Sequence, residues 1–418
     1  MVPIVIRAGN LWDGVSERPA GPGEILVEGP TITAIGKSVS VPDGAEIIDL
    51  SGYTVMPGLI DCHIHLTLRP EFMGNFWKHS PSYKALLGAE ALLLLLMNGF
   101  TTVRDCGDMD LHGFSVRDLK LATEQGIIAG PRVICSGHMI SSRGGHMSAL
   151  QSLSPDSNAW ENCLADGQEE IRRVVRREIK WGAEWVKYAA SGGFSSIGDD
   201  PTQVTYSQDE MAVLVQTARD FNRPVSAHVL GDEAVKRSVL AGVRSIEHGS
   251  MMSQETSGLI AERGVFVVPT QIAAVRSARL IDETGRGLPD MPAHVRDKLR
   301  KYRNTILDSA QFLAKSPVKI AFGTDLGILP YSINGAMEFS EMVTNGIAPG
   351  RALRAATSVA AELLGREDIG LLAPGRCADI IAVSGNPFEN ISVMEHVNFV
   401  MKAGVVRKRE GDLPHHTA

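Results

Sequence analysis

The sequence predicts an α/β protein in which a (β/α)8 barrel, also called a TIM barrel, carries a small β domain built from both chain ends. The first fifty-odd and last fifty-odd residues are rich in short strands separated by Gly, Asp or Asn turns. Between them the pattern changes to strand, turn and helix, repeated over roughly 300 residues. The length of 418 residues fits two or three domains, or one large barrel with an attachment.

The candidate elements follow in chain order. The amino end offers the strand-like runs VPIVIRAGNLWDG, GEILVEG, TITAIG and AEIIDLSG, and the carboxyl end offers GRCADIIAVSGNP and HVNFVMKAGVVRK. The candidate barrel strands are GLIDCHIH (58–65), TTVRDCG (101–107), RVICSG (132–137), WVKYAASGG (185–193), VSAHV (225–229), SIEHG (245–249), FVVPT (266–270) and IAFGTD (320–325). Apolar residues at helical spacing fill the gaps. In EEIRRVVRREIKWG the apolar face is opposite the arginines, and Gly242 ends the helix in DEAVKRSVLAG.

Composition excludes several classes of protein. Hydrophobic residues make up 44% and charged residues 21%, as in globular domains. A net charge of −7 without a basic block argues against a nucleic-acid partner. The longest apolar stretch, 85–97, is shorter than the ~20 residues that span a membrane, and the amino end does not read as a signal peptide. Five widely spaced cysteines without a CxxC pair predict a reducing compartment, the cytoplasm.

Six polar side chains lie at or near the carboxyl ends of candidate strands, where barrel active sites form. They are His63, His65, Lys187, His228, His248 and Asp325. His63 and His65 face the same way on their strand and can hold one ion together. Alone, an HxH pair is a weak signal, and a single histidine or strand-end lysine is more often structural. Together they predict a site for Zn²⁺, or alternatively Mn²⁺, Co²⁺ or Fe²⁺.

These motifs resemble those of the amidohydrolase superfamily. The resemblance rests on PGLIDCHIH, the lysine in WVKYAASGG, the histidines in SAHV and SIEHG, and the aspartate in AFGTD. EIIDLSGYTVMPG and LAPGRCADIIAV look like that family's composite β-sandwich. ADGQEEIRRVVRREIKWGAEWVK followed by ASGG is similar to the imidazolonepropionase-related branch, with its prolidases, dipeptidases and hydrolases of N-acyl amino acids and aryl amides. The resemblance implies a β-sandwich from residues 1–57 and 366–418 beside a metal-dependent hydrolase barrel, 58–365.

The resemblance also implies a role for each of the six side chains. His63, His65 and Asp325 would hold the first metal ion, and His228 and His248 the second. Lys187 would carry a CO2-derived carbamate that bridges the two divalent ions, with zinc the expected metal. Two such ions lower the pKa of a bridging water so that hydroxide forms near neutral pH. Asp325 would accept the proton of this hydroxide during attack and return it to the leaving nitrogen.

Two glycine-rich stretches and one departure from the family pattern bear on substrate selection. GHMISSRGGH (137–146) offers His138, Arg143 and His146. His146 matches a branch histidine near the substrate carbonyl, and Arg143 is a candidate for binding a substrate carboxylate, or else a solvated charge. In SGGFSSIGDD (191–200), Gly192 and Gly193 either allow the turn or present N–H groups to a carboxylate. Leu230 stands where the family commonly has Tyr or His, which favours a more apolar substrate.

The leading hypothesis is a binuclear metal-dependent hydrolase that cleaves an amide C–N bond. Its substrate would be a dipeptide, as for a prolidase or carboxypeptidase-like enzyme, or an N-acyl amino acid. The alternative is hydrolysis of an aryl amide, carbamate, ester or cyclic amide without a carboxylate, and Leu230 favours it. A non-catalytic scaffold would usually have lost metal ligands, whereas all six positions are filled here. We expect a small-molecule substrate, no nucleic-acid or membrane partner, and a homo-oligomer.

Overall fold

The structure, a computed structural model, describes residues 2–72, 78–110, 113–148, 162–284 and 291–409. The strands are β1 Ile4–Leu11, β2 Gly23–Glu28, β3 Thr31–Gly36, β4 Glu46–Pro57, β5 Leu59–Ile64, β6 Phe100–Asp105, β7 Arg132–Cys135, β8 Met139–Ile140, β9 Val186–Ala189, β10 Val225–Gly231, β11 Ser245–Met251, β12 Phe266–Val268, β13 Lys319–Ile320, β14 Ile380–Ser384, β15 Val397–Lys402 and β16 Val405–Lys408. The helices are α1 Pro81–Met97, α2 Ser115–Glu124, α3 Gly167–Lys180, α4 Gln208–Arg219, α5 Asp232–Ala241, α6 Gln254–Glu262, α7 Ala274–Thr284, α8 Ala293–Lys315, α9 Met337–Thr344, α10 Pro349–Ala355 and α11 Ser358–Leu364. Short 3-10 turns lie at Pro70–Phe72 and Ile391–Glu395.

Both chain ends meet in one seven-stranded sheet of order β16-β15-β14-β4-β1-β2-β3. β1 pairs with β4 in parallel, with Ile6 opposite Ile48, whereas β14 pairs with β4 in antiparallel fashion. Apolar side chains such as Ile6, Ile25 and Ile380 form a core of their own. The described strands of the two ends thus form a single mixed sheet, and the expected β-sandwich is not confirmed. The division of the chain at residues 57 and 366 stays a prediction.

The central strands are all parallel and lie in two groups. One sheet has the order β5-β6-β7 and the other the order β13-β12-β11-β10-β9-β8. A few separate backbone hydrogen bonds connect the groups on both sides, among them Cys62 N to Phe322 O (2.8 Å) and Glu184 N to Cys135 O (2.8 Å). Among the described residues these bonds do not make one continuous ladder, so a closed barrel is not confirmed.

The candidate strands correspond to observed strands, but two of them are much shorter than expected. The fourth, expected over 185–193, is a strand only at Val186–Ala189, and the eighth, expected over 320–325, only at Lys319–Ile320. Beyond it the chain makes isolated hydrogen bonds, such as Asp325 N to His63 O (2.8 Å). Asp325, five residues beyond the end of β13, has a left-handed backbone with φ +62°.

Helix α3 shows how the amphipathic pattern forms the layer outside the sheet. Ile171, Val174 and Val175 are buried, as their spacing predicts. Glu178 is also buried, because it accepts a hydrogen bond from His138 N (2.9 Å). The second predicted helix, α5, ends at Gly242 with φ +91°, a conformation that glycine adopts without strain. None of the helices in the described ranges combines the length and apolarity that a membrane crossing requires.

Candidate active site

The carboxyl ends of the parallel strands bring the predicted histidines and Asp325 into one buried cluster. Asp325 Oδ1 lies 3.5 Å from Nε2 of both His63 and His65. The His248 ring lies 4.7 Å from the rings of His63 and His228, measured between centroids. All of these side chains are buried. Four separate strands or strand ends therefore contribute to one small volume.

Lys187 belongs to the same cluster. Its side chain is 1% exposed, and Ser226 on the neighbouring strand β10 lies opposite it in register. Burial lowers the pKa of Lys187, which favours a neutral amine. Burial, followed by the nearby Lys187 charge, also lowers the pKa of His63 well below the ordinary value. The amine and the imidazoles are thereby kept in the unprotonated forms that react with CO2 and bind metal ions.

Three non-glycine residues at or near the cluster have a left-handed backbone. His248, within β11, has φ +71°, and Thr270 and Asp325, which lie beyond the ends of β12 and β13, have φ +44° and +62°. Non-glycine residues adopt this left-handed region rarely, and such conformations concentrate at functional sites. Local backbone strain thus accompanies the placement of the polar side chains.

Each of three cluster histidines is oriented by a hydrogen bond at Nδ1. His63 Nδ1 lies 2.7 Å from Glu247 Oε2, and His248 Nδ1 lies 2.8 Å from Thr270 Oγ1. His65 Nδ1 lies 3.1 Å from the carbonyl oxygen of Gly107. Metal-binding histidines typically use their second nitrogen in this way, which leaves Nε2 for the ion.

These orienting residues were not predicted from the sequence. Glu247 also accepts a hydrogen bond from Arg104 Nη2 (2.7 Å), and both side chains are fully buried. Arg104 donates further to the carbonyl oxygen of Cys62 (2.6 Å) and lies over the Trp185 ring. The available signal was the presence of charged residues inside strands, in TTVRDCG and SIEHG, where only paired charges are stable.

The cluster fits a divalent metal centre. Ligand atoms of His63, His65 and Asp325 lie within 4.8 Å of one another. Among the described residues, Lys187 Nζ and His228 Nε2 are buried without a hydrogen-bond partner. A buried polar atom without a partner is costly, and coordination or carboxylation would satisfy both. Imidazole and carboxylate groups are suitable ligands for zinc and for other divalent transition metals.

His146 is placed beside this cluster by the loop of residues 191–200. Its ring stacks on that of His228 at 4.3 Å with an interplanar angle of 5°. Nδ1 lies 2.8 Å from Ser196 Oγ and 3.8 Å from Asp199 Oδ2. A Cβ built on Gly193 would overlap the His146 ring, so glycine is required at this close approach. His146 and Gly193, both predicted from the sequence, are thus in contact. Gly193 contributes by its lack of a side chain, which leaves room for the His146 ring.

Helix α8 holds this loop in place. Lys298 Nζ donates to the carbonyl oxygens of Gly193 (2.7 Å) and Ser196 (2.8 Å) and to Asp199 Oδ1 (2.8 Å). Burial raises the pKa of the Asp199 carboxyl, but hydrogen bonds from His146, Lys298 and Ser196 outweigh it, so that this pKa is lowered overall. Spacing along the chain gives no signal for this contact, because about 100 residues separate Lys298 from its partners.

The structure places the four other predicted substrate residues in contacts with the protein itself. His138 is buried, with Nδ1 3.0 Å from Glu178 Oε2 and Nε2 2.7 Å from the carbonyl oxygen of Asp110. Arg143 is exposed and pairs with the carboxylates of Asp166 and Glu170. Leu230 packs in an apolar cluster with side chains of α7 and α8. Gly192 N donates to the carbonyl oxygen of Gln203 (3.3 Å).

The family of the protein follows from its similarity to known proteins. The amidohydrolase family profile matches residues 54–408. The chain belongs to the amidohydrolase family. Like its relatives in this family, it is an amide-hydrolysing enzyme.

Individual amidohydrolases resemble the chain over nearly its whole length. Ochratoxinase of Aspergillus niger is 31% identical and aligns over 97% of this chain and 87% of its own. The structure of an Xaa-Pro dipeptidase with bound methionine superposes with a TM-score of 0.89, 34% identity and coverage of 97% and 100%. A prolidase complexed with N-methylphosphonate-L-proline superposes with a TM-score of 0.86, 32% identity and coverage of 98% and 100%.

Proposed function

We propose that the protein is a binuclear metal-dependent hydrolase of amide C–N bonds in substrates that carry a carboxylate. His63, His65 and Asp325 would hold one ion, and His228 and His248 the other. Lys187 would bridge them as a carbamate formed with CO2. When bound, such ions supply an activated water and polarise the scissile carbonyl. The observation that carries the proposal is the buried Lys187 amine, whose lowered pKa and unpartnered Nζ favour carboxylation.

Asp325 is the proposed proton shuttle. Burial raises the pKa of its carboxyl to about 7, although the Lys187 charge opposes this. A carboxylate at this position can take a proton from the attacking water and return it to the departing nitrogen. The left-handed backbone at Asp325 aims the carboxylate at His63 and His65. An amide nitrogen leaves only after it gains this proton.

His146 is the proposed substrate contact at the carbonyl. Its Nδ1 is engaged by Ser196, which leaves Nε2 for the carbonyl oxygen of the amide. The stacking on His228 places the ring directly beside the cluster. Because Ser196 donates to Asp199, Nδ1 donates to Ser196, and only the protonated ring also donates from Nε2. In that form it would stabilise the negative charge that develops on the oxygen during attack.

A dipeptide or an N-acyl amino acid is the preferred substrate class. The relatives that support it are the Xaa-Pro dipeptidase, the prolidase with a proline-containing ligand, and ochratoxinase. Arg143 could bind the substrate carboxylate only by exchanging its contacts with Asp166 and Glu170. The N–H of Gly193 already donates to Asp199 (3.0 Å). Substrate binding through either group therefore includes a local rearrangement.

The second candidate is hydrolysis of a carboxylate-free aryl amide, carbamate, ester or cyclic amide. The Arg143 ion pairs favour it, because this cation is engaged with protein carboxylates. The apolar cluster around Leu230, which Phe194 of the 191–200 loop joins, also favours an uncharged ligand. Zinc as the native ion, a homo-oligomer and a cytoplasmic location remain predictions from the sequence.

The test measures amine release by zinc-loaded protein in bicarbonate buffer, against libraries of dipeptides and N-acyl amino acids. Asp325→Asn should lower kcat by about 10²–10⁴-fold, because it removes the proton shuttle. Metal analysis should find two ions per chain in the wild type and fewer in Lys187→Ala. Hydrolysis confined to carboxylate-free amides or esters, with two ions bound, would favour the second candidate. Release that needs no metal would reject both.

A further inference from the structure

A cavity of about 390 Å³ lies at the opposite ends of the strands from the catalytic cluster. It is formed by the corners that lead from α4 into β10, from α5 into β11, and from α6 into β12. Its lining includes Arg219, Arg223, Arg244 and Arg263, and we refer to it as the arginine cavity. Val225, which begins β10, lines the cavity, whereas His228 lies three residues further along the strand, and none of the proposed catalytic residues lines the cavity. The arginine cavity is therefore separate from the proposed active site.

The arginine cavity is strongly enriched in positive charge. Four of its twelve lining residues are arginines, whereas Lys and Arg together are 41 of 418 residues in the chain. Neither Asp nor Glu is among the described residues that line it. This concentration of one sign is unusual in a chain with a net charge of −7. Like-charged guanidinium groups repel one another unless an anion lies between them.

The guanidinium groups are not needed to cap the surrounding helices. At the end of each helix, backbone N–H groups bond back to helix carbonyls, as in a Schellman motif. These bonds run from Arg223 N to Ala218 O, from Val243 N to Ser238 O and from Val265 N to Ile260 O. Three helix C-termini together contribute partial charges of about −0.5 each, which four full positive charges exceed. The cavity keeps a positive field.

Two of the four arginines are without a partner among the described residues. Arg223 Nε is buried and unpartnered, and no ion pair involves Arg219 in the described ranges. Arg219 Nη2 lies over Gly242, at 3.0 Å from where a Cβ would be. Arg244 donates to the carbonyl oxygens of Glu362 (2.8 Å) and Leu363 (3.4 Å), which fixes its position.

The fourth arginine of the cavity, Arg263, has only a weak ion pair with a protein carboxylate. Arg263 Nε lies 3.9 Å from Glu262 Oε1, and both side chains are largely exposed. An exposed pair at this distance contributes little. Most of the hydrogen-bonding capacity of the four guanidinium groups is therefore available to a ligand.

We propose that the arginine cavity binds the phosphate groups of a small phosphorylated molecule. Guanidinium groups bind phosphate oxygens in bidentate fashion, and several of them around one cavity suit a dianion or a diphosphate. The cavity volume falls within the ~300–1,000 Å³ of small-molecule sites. The proposal does not depend on the proposed catalytic function, since it uses none of the catalytic residues.

Calorimetric titration of the metal-loaded enzyme with inorganic pyrophosphate, ADP and adenosine tests this site. The double variant Arg219→Gln/Arg263→Gln should weaken phosphate binding by about tenfold or more, since hydrogen bonds to charged groups are lost. Both positions are exposed, so the variant should fold and retain amide hydrolysis. Arg237→Gln, which removes an exposed pair with Glu233 on α5, is the matched control and should bind as the wild type.

Phosphate groups also bind metal ions, so binding at the arginine cavity must be distinguished from binding at the proposed metal centre. In Lys187→Ala the proposed metal bridge is lost, and pyrophosphate binding at the arginine cavity should persist. ADP and pyrophosphate binding with similar affinity would identify the diphosphate as the recognised group. Stronger binding of ADP, with adenosine inert, would add a nucleoside contact to the same site. Unchanged binding by the double variant, or tighter binding of a nucleic-acid oligomer than of either small molecule, would overturn the proposal.

Discussion

At the scale of single residues, the site depends on pairs in which one side chain orients another. His63 illustrates this, because its Nδ1 contacts Glu247, and Glu247 in turn contacts Arg104. The histidine was predicted from its place at the end of a strand, whereas the two partners were not. Their roles depend on contacts between β5, β6 and β11, which lie far apart along the chain.

Glu247→Gln should weaken metal binding and activity by about 10–100-fold, the usual effect of losing an orienting carboxylate. The amide is the same size but carries no charge, so Arg104 would lose its ion pair in a fully buried position. Metal content after dialysis against a graded chelator measures the effect. Glu184→Gln removes an exposed pair with Lys120 and should leave metal affinity unchanged. Equal metal retention by both variants would contradict this role of Glu247.

Gly193→Ala should lower kcat/KM on the order of 10²-fold, the effect of a misplaced catalytic group. The added methyl group would occupy the position of the His146 ring and displace it from His228. Gly258→Ala is the control, because a Cβ there meets nothing within 4 Å and favours the α6 helix. Wild-type kinetics for Gly193→Ala would show that His146 does not act in catalysis.

At the scale of elements, helix α8 determines the position of the loop after β9. Sequence patterns placed polar glycine-rich segments after strands, and such loops commonly shape binding sites. The patterns did not indicate that Lys298 would fasten residues 191–200, because periodicity reports only which face of a helix is apolar. Leu230 likewise turned out to pack beneath this region, with side chains of α7 and α8.

Lys298→Ala should raise KM and lower the free energy of unfolding by about 1–3 kcal/mol, since hydrogen bonds to a charged donor are lost. The buried carboxylate of Asp199 would lose its cation, and the loop that holds His146 would loosen. Steady-state kinetics and hydrogen exchange of residues 191–200 measure both effects. Lys301→Ala, which breaks an exposed pair with Asp200, should change little. Similar exchange rates in the two variants would argue against anchoring by Lys298.

At the scale of the whole molecule, the sheet formed by both chain ends is attached to the parallel strands by polar contacts. Lys402 Nζ donates to the carbonyl oxygen of Gly130 (2.6 Å), and Arg132 Nη1 donates to Asp379 Oδ2 (3.0 Å). Burial lowers the pKa of Lys402 to about 8. At neutral pH the charged, buried amine of Lys402 therefore lowers the free energy of unfolding.

The stability of the protein should rise with pH between about 8 and 10.5 because of Lys402. Over this range the unfolded chain binds more protons at this lysine than the folded chain does, so deprotonation favours folding. In Lys402→Met this contribution should disappear, which urea unfolding at several pH values will measure. Lys37→Met, at an exposed position directly after β3, should retain the wild-type pH dependence of stability. If the free energy of unfolding changed with pH in the same way for wild type and Lys402→Met, Lys402 would not be the source of the pH dependence.

The sequence alone was enough to predict most of the parallel strands, the family and the proposed metal ligands. These predictions follow from local patterns: apolar periodicity, turn residues, and polar side chains at predicted strand ends. Asp325 and His248 were identifiable because the sequence pattern placed them at such predicted ends.

Contacts between residues remote in sequence determine which polar groups are engaged with the protein and which remain available to a ligand. Arg143 forms ion pairs with Asp166 and Glu170. Both ring nitrogens of His138 are hydrogen-bonded within the protein, and Glu247 contacts Nδ1 of His63. The arginine cavity is likewise assembled from three separate corners. The physical reason is that hydrogen bonds and ion pairs depend on distances between residues remote in sequence, which local propensity does not encode.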